Sequence, residues 1–331
     1  MKNLKLKAVI TTINKPNQVY ANLSSELGES EVIIIGDAKT PKEWECITGF
    51  ISLDGQNKLF KVFSEKLPIN HYSRKNMGYL MAIAERAEAI YETDDDTFLR
   101  NGKIIQDFVE EYLYVEENEW INVYKYFTNR NIWPRGLPLR KIESTPLPKF
   151  QYSSNEVAIT QFLVDGDPDV DAIYRMIGTL PFYFEESKKI SLRLIRGAKC
   201  PYNSQNTIHF PVAYPFLYLP AYVSFRMTDI WRSIISQTYL QYHGYAIEFR
   251  PPNSIQSRNA HDLIKDLKQE IDGYKYNELI AEICTSNLHK PDPLKYLINV
   301  YKDLHKEKIV IEKEIELVSH WVEILNEHIS L

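Results

Sequence analysis

The stretch that most limits what this 331-residue chain can fold into is a helix, a strand and a run of acid in its first third. Met77, Leu80, Met81, Ala84 and Ala87 recur at helical spacing behind His71-Tyr72-Ser73-Arg74-Lys75-Asn76. Ala89-Ile90-Tyr91 then reads as a short buried strand that continues through Glu92-Thr93 into Asp94-Asp95-Asp96. In an open α/β sheet the ligand lies beyond the carboxyl ends of the parallel strands, which puts the three acids on the binding rim. Side chains alternate along an extended segment, so Asp94 and Asp96 are expected on one side and Asp95 on the other. Two carboxylates on one side, with Arg74, Lys75 and free N–H groups at the helix start, suit a divalent cation and the diphosphate it neutralises. This is a D-x-D site. Cations at a helix N-terminus oppose the macrodipole, and an anionic ligand would compensate for them.

The preceding chain supplies the rest of the rim. Lys7–Thr12 reads as a β-branched strand, Val19, Leu23 and Leu27 mark a helix closed by Gly28, and Val32–Ile35 is the next strand. A right-handed parallel unit brings Thr11, Thr12 and Asp37 to the same edge. Further on, the pattern predicts a helix at 42–46, a strand at 50–53 and a helix at 58–66. Beyond the acids it predicts a helix from Ile104 to Tyr114, with Phe108 on its apolar face, and an aromatic strand from Trp120 to Tyr126.

Asn131–Pro138, with two prolines and a glycine, is a rigid loop presenting Trp133 and Arg135. An arginine there suits phosphate and a tryptophan suits the apolar face of a sugar; a packed loop with Arg135 in a salt bridge is the equal alternative. Asp165-Gly166-Asp167-Pro168-Asp169-Val170-Asp171 lacks the closing Glu of a calcium loop, and Asp171 can cap a helix. In the polar and aromatic run from Pro201, Asn206 suits a sugar-hydroxyl network, and His209 is a candidate further metal ligand.

Composition narrows the function classes. With 44% hydrophobic and 25% charged residues the chain is an ordinary globular one, and a net charge of −5 gives no reason to expect nucleic acid as partner. Cys46, Cys200 and Cys284 lie far apart, so neither a disulfide framework nor a zinc site is indicated. The absence of G-x-G-x-x-G disfavours a dehydrogenase, and no Gly-rich phosphate loop follows Val9–Thr12 as a nucleotidyltransferase would need. No apolar run is long enough to span a bilayer, and a cytoplasmic location is expected.

The R-K-N-x-G helix running into Ile90-Tyr91-Glu92-Thr93-Asp94-Asp95-Asp96 resembles the nucleotide-sugar site of A-type glycosyltransferases, and more closely the STELLO family. The likeness continues in Val9–Ile13, Ile35–Pro41, Ile132–Pro138, Val164–Ala172 and Pro201–Thr207, in that order. Members of that family are anchored in the Golgi membrane, and the cytoplasmic location expected here departs from that. The reversibly glycosylated plant proteins, which are UDP-arabinopyranose mutases, resemble it more distantly through the triple Asp, an R-G-x-P run and a P-D-x-D-A run.

The resemblance implies an α/β fold with a Rossmann-like mixed sheet flanked by helices over residues 1–223, and a helical C-terminal module over 224–331 for acceptor binding or dimerisation. It implies a metal-dependent glycosyltransferase moving a sugar from a nucleotide-diphospho-sugar, UDP-linked, to a glycan or other acceptor, with Mn²⁺ or Mg²⁺. The donor is assigned to Thr11, Thr12, Asp37, Arg74, Lys75, Asp94, Asp95, Trp133 and Asn206, and the metal to Asp94, Asp96 and His209. Asp229, a candidate general base, joins Asp169 and Arg135 as the catalytic set; an i, i+3 ion pair of Asp229 with Arg232 is the plainer reading. In the mutase relatives the Arg of R-G-x-P is glycosylated, but guanidinium is a poor nucleophile, and Arg135 is expected to bind unmodified. A nucleotide-sugar mutase and a non-catalytic scaffold or regulatory partner of a glycan-synthesising enzyme are the alternatives.

Overall fold

Alternation within the strands sets the layers. The protein, as a computed structural model, is described over residues 4–105, 109–149, 155–257 and 262–328. The first part comprises β1 (Leu6–Thr11), α1 (Gln18–Leu27), β2 (Val32–Ile35), β3 (Phe50–Ile51), α2 (Leu53–Leu59) and α3 (Lys61–Lys66). There follow α4 (Lys75–Ala84), β4 (Ala89–Thr93), β5 (Thr97–Leu99), β6 (Glu111–Val115), β7 (Val157–Gly166), α5 (Ala172–Ile177) and β8 (Ile190–Leu194). The chain continues through β9 (Asn206–His209), α6 (Thr228–Tyr242), β10 (Ala246–Gln256), α7 (Leu263–Ser286), α8 (Pro293–Lys306) and α9 (Glu312–His328).

Among the described residues one ten-stranded sheet runs β3-β2-β1-β4-β9-β7-β10-β8-β6, with β5 against β10. Its first half, β3-β2-β1-β4, is wholly parallel. β9 then runs antiparallel to both β4 and β7, making the sheet mixed. The chain leaves β1 toward β2 and β3 and returns to β4 on the other side, so the carboxyl ends of β1 and β4 flank a topological switch point, where such sheets bind ligand. Along the strands, Val9, Ile33 and Ile90 join a core containing α4, α6, α8 and α9, while Ala8, Ile10, Ile34 and Tyr91 face α1 and Trp44. Both faces are thus covered, and this is the mixed sheet with flanking helices of an A-type fold. Gly78 explains the R-K-N-x-G spacing: a Cβ there would collide with Val9 on β1, so glycine lets α4 lie directly on the sheet.

Several expectations need correction. Residues 111–115 are a strand paired in parallel with β8, not the end of a helix, because the ladder to Ile190–Leu194 outweighs an apparent 3.6 period; Phe108 lies outside the described residues. Trp120–Tyr126 is not a strand. It makes one bridge, from Trp120 to Lys199, then a 3₁₀ turn at Val123–Tyr126, because buried Asn122 donates to the carbonyls of Ile132 and Ile142 and folds the chain over. The residues expected to form one helix at 58–66 are split between α2 and α3, broken at Phe60.

The boundary at 223/224 does not survive either. β10 lies between β7 and β8, inside the sheet, and α6, α8 and α9 share the core of α4. β10 is hard to read because Pro251-Pro252 interrupts it. The prolines fall in a register shift between Arg250 and Ser254, where no ladder N–H is required of them.

Beneath the rim sits a buried charge cluster. Glu92 on β4 accepts from Arg232 Nη1 at 2.9 Å and from its Nη2, from Tyr79 Oη, and contacts His209 Nε2 at 2.8 Å. Burial opposes its charge, yet Arg232 and His209 hold the carboxyl well below the usual range. Removing one member of such a pair strands a buried charge, at roughly 3–5 kcal/mol. Arg232→Met should therefore destabilise the protein by about that amount in urea unfolding. Adding Glu92→Gln should restore roughly half, since no lone charge is then left; an equally or more unstable double variant would contradict the pairing.

Candidate active site

Everything at the carboxyl rim converges on one groove. Its larger part, a cavity of about 270 Å³, has Thr11, Asp94, Asp95 and Asp96 along the strand ends. Arg135, Asp169 and Asn203–Gln205 form its far wall, and Tyr72, Phe225, Arg226, Asp229 and Gln256 complete it. A recess of about 180 Å³, lined by Thr12, Ile13, Ile35, Asp37 and Lys39, shares Thr11, Tyr72, Asp95 and Phe225 with it. Between the two parts His71 and Tyr72 stack face to face and both meet the ring of Phe225 edge to face, with Phe225 43% exposed.

The acid run does not extend the strand; it turns between β4 and β5, and its carboxylates diverge. Asp94 Oδ1 accepts from Lys75 Nζ at 3.0 Å, Asp95 Oδ2 from Thr12 Oγ1 at 2.6 Å and Asn14 Nδ2 at 3.0 Å, and Asp96 Oδ1 from Gln256 Nε2 at 2.8 Å. Lys75 is neither a solvated first-turn residue nor a free phosphate binder: fully buried, it also donates to the Thr93 carbonyl. Burial pushes the Asp94 carboxyl above its usual range against the pull of Lys75 and with the help of Asp95. Among the described residues no three His, Cys, Asp or Glu side chains form a ready cation cage. Asp94 and Asp96 together with ligand oxygens can hold a hard cation, which is how magnesium-like ions are usually bound.

Arg135 organises the opposite wall. Its Nε and Nη2 donate to Asp169 at 2.8 Å each, its Nη1 and Nη2 to Asp229 at 3.1 and 2.8 Å, and Nη1 also to the Arg226 carbonyl. Burial works against the guanidinium, but the two carboxylates hold it charged. Gly136 (φ 83°) makes this possible, because a Cβ there would lie 2.5 Å from Ile230, the residue after Asp229. Asp229, in the first turn of α6, also accepts from the Ser204 N–H at 3.2 Å and Tyr72 Oη at 3.3 Å. The i, i+3 pair with Arg232 does not form: Arg232 belongs to Glu92.

Four expected ligand contacts are turned away. Arg74 points into the protein, its guanidinium donating to Gln56 Oε1 and Ser64 Oγ and to the Leu67 carbonyl, because the start of α4 docks on α3 rather than facing solvent. Trp133 donates to Asp171 Oδ2 at 2.7 Å and packs on Tyr174, so it offers no face to a sugar. Asn206 is spent on Tyr91, Asn253 and Ser254 inside the sheet. His209, 1% exposed, ends β9 opposite Ile90 and pairs with Glu92 beneath the rim, apart from Asp94 and Asp96, and is not a ligand beside them. Thr11, Thr12 and Asp37 do line the groove.

Several lining residues carried little signal. Asn203, Ser204 and Gln205 precede Asn206 in the same polar block. Gln205 donates to Gln256 Oε1, and Gln256 holds Asp96, a relay whose links span 51 and 160 residues of chain.

Residues 226–329 match the family model described as STELLO glycosyltransferases. The chain is 31% identical over 245 residues to probable glycosyltransferase STELLO2 of Arabidopsis thaliana, which covers 67% of this chain and 32% of that one. It is 30% identical over 247 residues to STELLO1 of the same plant, covering 68% and 32%. It thus spans about a third of the length of these relatives. Among solved structures, glucosyl-3-phosphoglycerate synthase from Mycobacterium tuberculosis, in complex with phosphoglyceric acid, overlaps 83% of this chain and 80% of its own with a TM-score of 0.42 and 9% identity.

His71, at the groove's edge, gives a pH test. Its Nδ1 accepts from the Ser73 N–H at 3.1 Å and so carries no proton. Burial lowers its pKa to about 4, against the pull of Asp37. The unfolded ring, near pH 6.5, binds protons that the folded one refuses, so stability from this group is complete above 6.5 and is lost as pH falls toward 4. Between pH 7 and 5 the wild type should lose on the order of 1 kcal/mol relative to His71→Asn, whose amide oxygen can replace the acceptor. Parallel thermal melts check this; a constant gap between the two proteins would contradict it.

Proposed function

We propose that this chain, which belongs to the STELLO family of glycosyltransferases, binds a UDP-linked sugar in the groove and transfers the sugar to a glycan or other acceptor with Mn²⁺ or Mg²⁺. One observation carries the reading. The larger part of the groove lies at the switch point between β1 and β4, is lined by five carboxylates, Asp94, Asp95, Asp96, Asp169 and Asp229, and its two arginines, Arg135 and Arg226, are engaged by acids. A diphosphate, the usual guest at such a rim, enters an acidic site only with a cation to neutralise it.

The division of the groove suits such a donor. The smaller recess offers Ile13 and Ile35 with Asp37 and Thr12 to a nucleoside, and the acid turn then meets the diphosphate. Lys75 holds Asp94, Thr12 and Asn14 hold Asp95, and Gln256 holds Asp96, so the carboxylates are oriented before any ligand arrives. A cation held by Asp94 and Asp96 would offset the charge that develops on the leaving diphosphate. Asp169 and Asp229 stand across the cavity, where the sugar and its acceptor would lie.

The structure supports neither of two earlier roles for this wall. Asp229 already accepts at both oxygens, a brace's geometry rather than that of a proton acceptor awaiting a hydroxyl. Arg135 uses every N–H on protein partners, which favours neither diphosphate binding nor covalent capture of a sugar as a mutase would need. Turnover separates the enzyme from a scaffold: the purified chain should hydrolyse a nucleotide-sugar slowly with Mn²⁺ and not with EDTA.

Calorimetry gives the sharper prediction. UDP should bind at least about tenfold (1.4 kcal/mol) more tightly with Mn²⁺ than in EDTA. Asp96→Ala should abolish that difference while leaving the metal-free affinity in place. Equal affinity with and without cation in the wild type would reject the metal-assisted reading.

A further inference from the structure

We infer that the acceptor half of this groove is built for an uncharged polyol and turns away anionic acceptors; the inference rests on the donor assignment above. Once the nucleoside recess and the acid turn are given to the donor, the acceptor is left the wall formed by Arg135, Asp169, Asp229, Arg226 and the amides of 203–205. Arginines in such a place ordinarily recruit phosphate or carboxylate. Here Arg135 is fully occupied, and Arg226 is held by an acid at its Nε. Arg135 gives its five N–H groups to Asp169, Asp229 and a carbonyl. Arg226 gives Nε to Glu270 and Nη2 to the Val170 carbonyl, with Nη1 3.9 Å from Asp266.

Each guanidinium therefore faces two carboxylates, and the wall keeps an excess of negative charge. A phosphate or carboxylate on the acceptor would meet like charge, with Arg135 fully engaged and Arg226 drawn toward Glu270 and Asp266, an arrangement that disfavours an anion. Sugar hydroxyls meet the opposite situation. They can donate to Asp169 and exchange hydrogen bonds with Asn203, Ser204 and Gln205, and the 43%-exposed ring of Phe225 offers a face for the C–H side of a pyranose.

The test uses the full chain with Mn²⁺. Hydrolysis of a panel of UDP- and GDP-sugars first identifies the donor; hydrolysis of none overturns the donor reading and this inference with it. With a hydrolysed donor in hand, cellobiose, xylobiose and mannobiose are compared with glucuronate, glucose 6-phosphate and 3-phosphoglycerate as acceptors and as competitors of hydrolysis. At least one neutral disaccharide should accept the sugar or compete, at a concentration at least tenfold below any anion. Anions acting as well as the neutral sugars, or neither class acting while hydrolysis proceeds, would overturn the inference alone. Asp169→Asn removes one charge and returns a share of Arg135 to the cavity, so it should move the neutral-to-anion selectivity at least tenfold toward anions; an unchanged ratio also counts against it.

Discussion

The interaction on which the groove depends is the buried pair of Glu92 and Arg232. Neither residue reaches the ligand cavity, yet each lies close in sequence to one that does. Glu92 is on β4 two residues before Asp94, which opens the turn after that strand, and Arg232 is one helical turn beyond Asp229. The other partners extend the pattern: Tyr79 lies one turn beyond Lys75 on α4, the buried cation that holds Asp94, and His209 lies four residues beyond Gln205. One carboxylate thus fixes four segments that carry or brace groove residues, in a low-dielectric interior where a bond with several partners tolerates little displacement. Burial keeps the His209 ring neutral against the pull of Glu92, leaving Arg232 as the counter-charge.

The consequence is a groove with two rigid sides of different character. The β1–β4 side presents carboxylates individually oriented by Lys75, Thr12, Asn14 and Gln256. The α6 side presents carboxylates locked to a guanidinium. The first arrangement leaves room for a cation and the oxygens of a ligand, whereas the second neutralises itself in part and offers oxygens as acceptors. Two sets of aspartates on one cavity therefore do different chemistry because their neighbours differ, not because the side chains do.

Much of this was legible before any coordinates. The parallel half of the sheet followed from β-branched runs and helical spacing, and the rim position of Thr11, Asp37 and the triple Asp followed from topology. What misled was the direction of individual side chains. Arg74 and Trp133 have the composition of ligand contacts, but their orientation is set by α3 and by Asp171, which local sequence does not announce. β10 was hidden by its two prolines, and with it went Gln256 and the unity of the fold. The Glu92–Arg232 pair joins residues 140 positions apart, a separation that no periodicity reports.

The central claim is that Asp94 and Asp96 receive a cation together with the diphosphate of a nucleotide-sugar. Anomalous scattering from crystals grown with Mn²⁺ and UDP tests it most directly. The account predicts one manganese peak in the groove, at coordination distance from Asp96 or Asp94 and from the diphosphate oxygens, and no such peak in crystals with manganese but no nucleotide. A nucleotide seated without manganese, or manganese bound away from these two carboxylates, would contradict it.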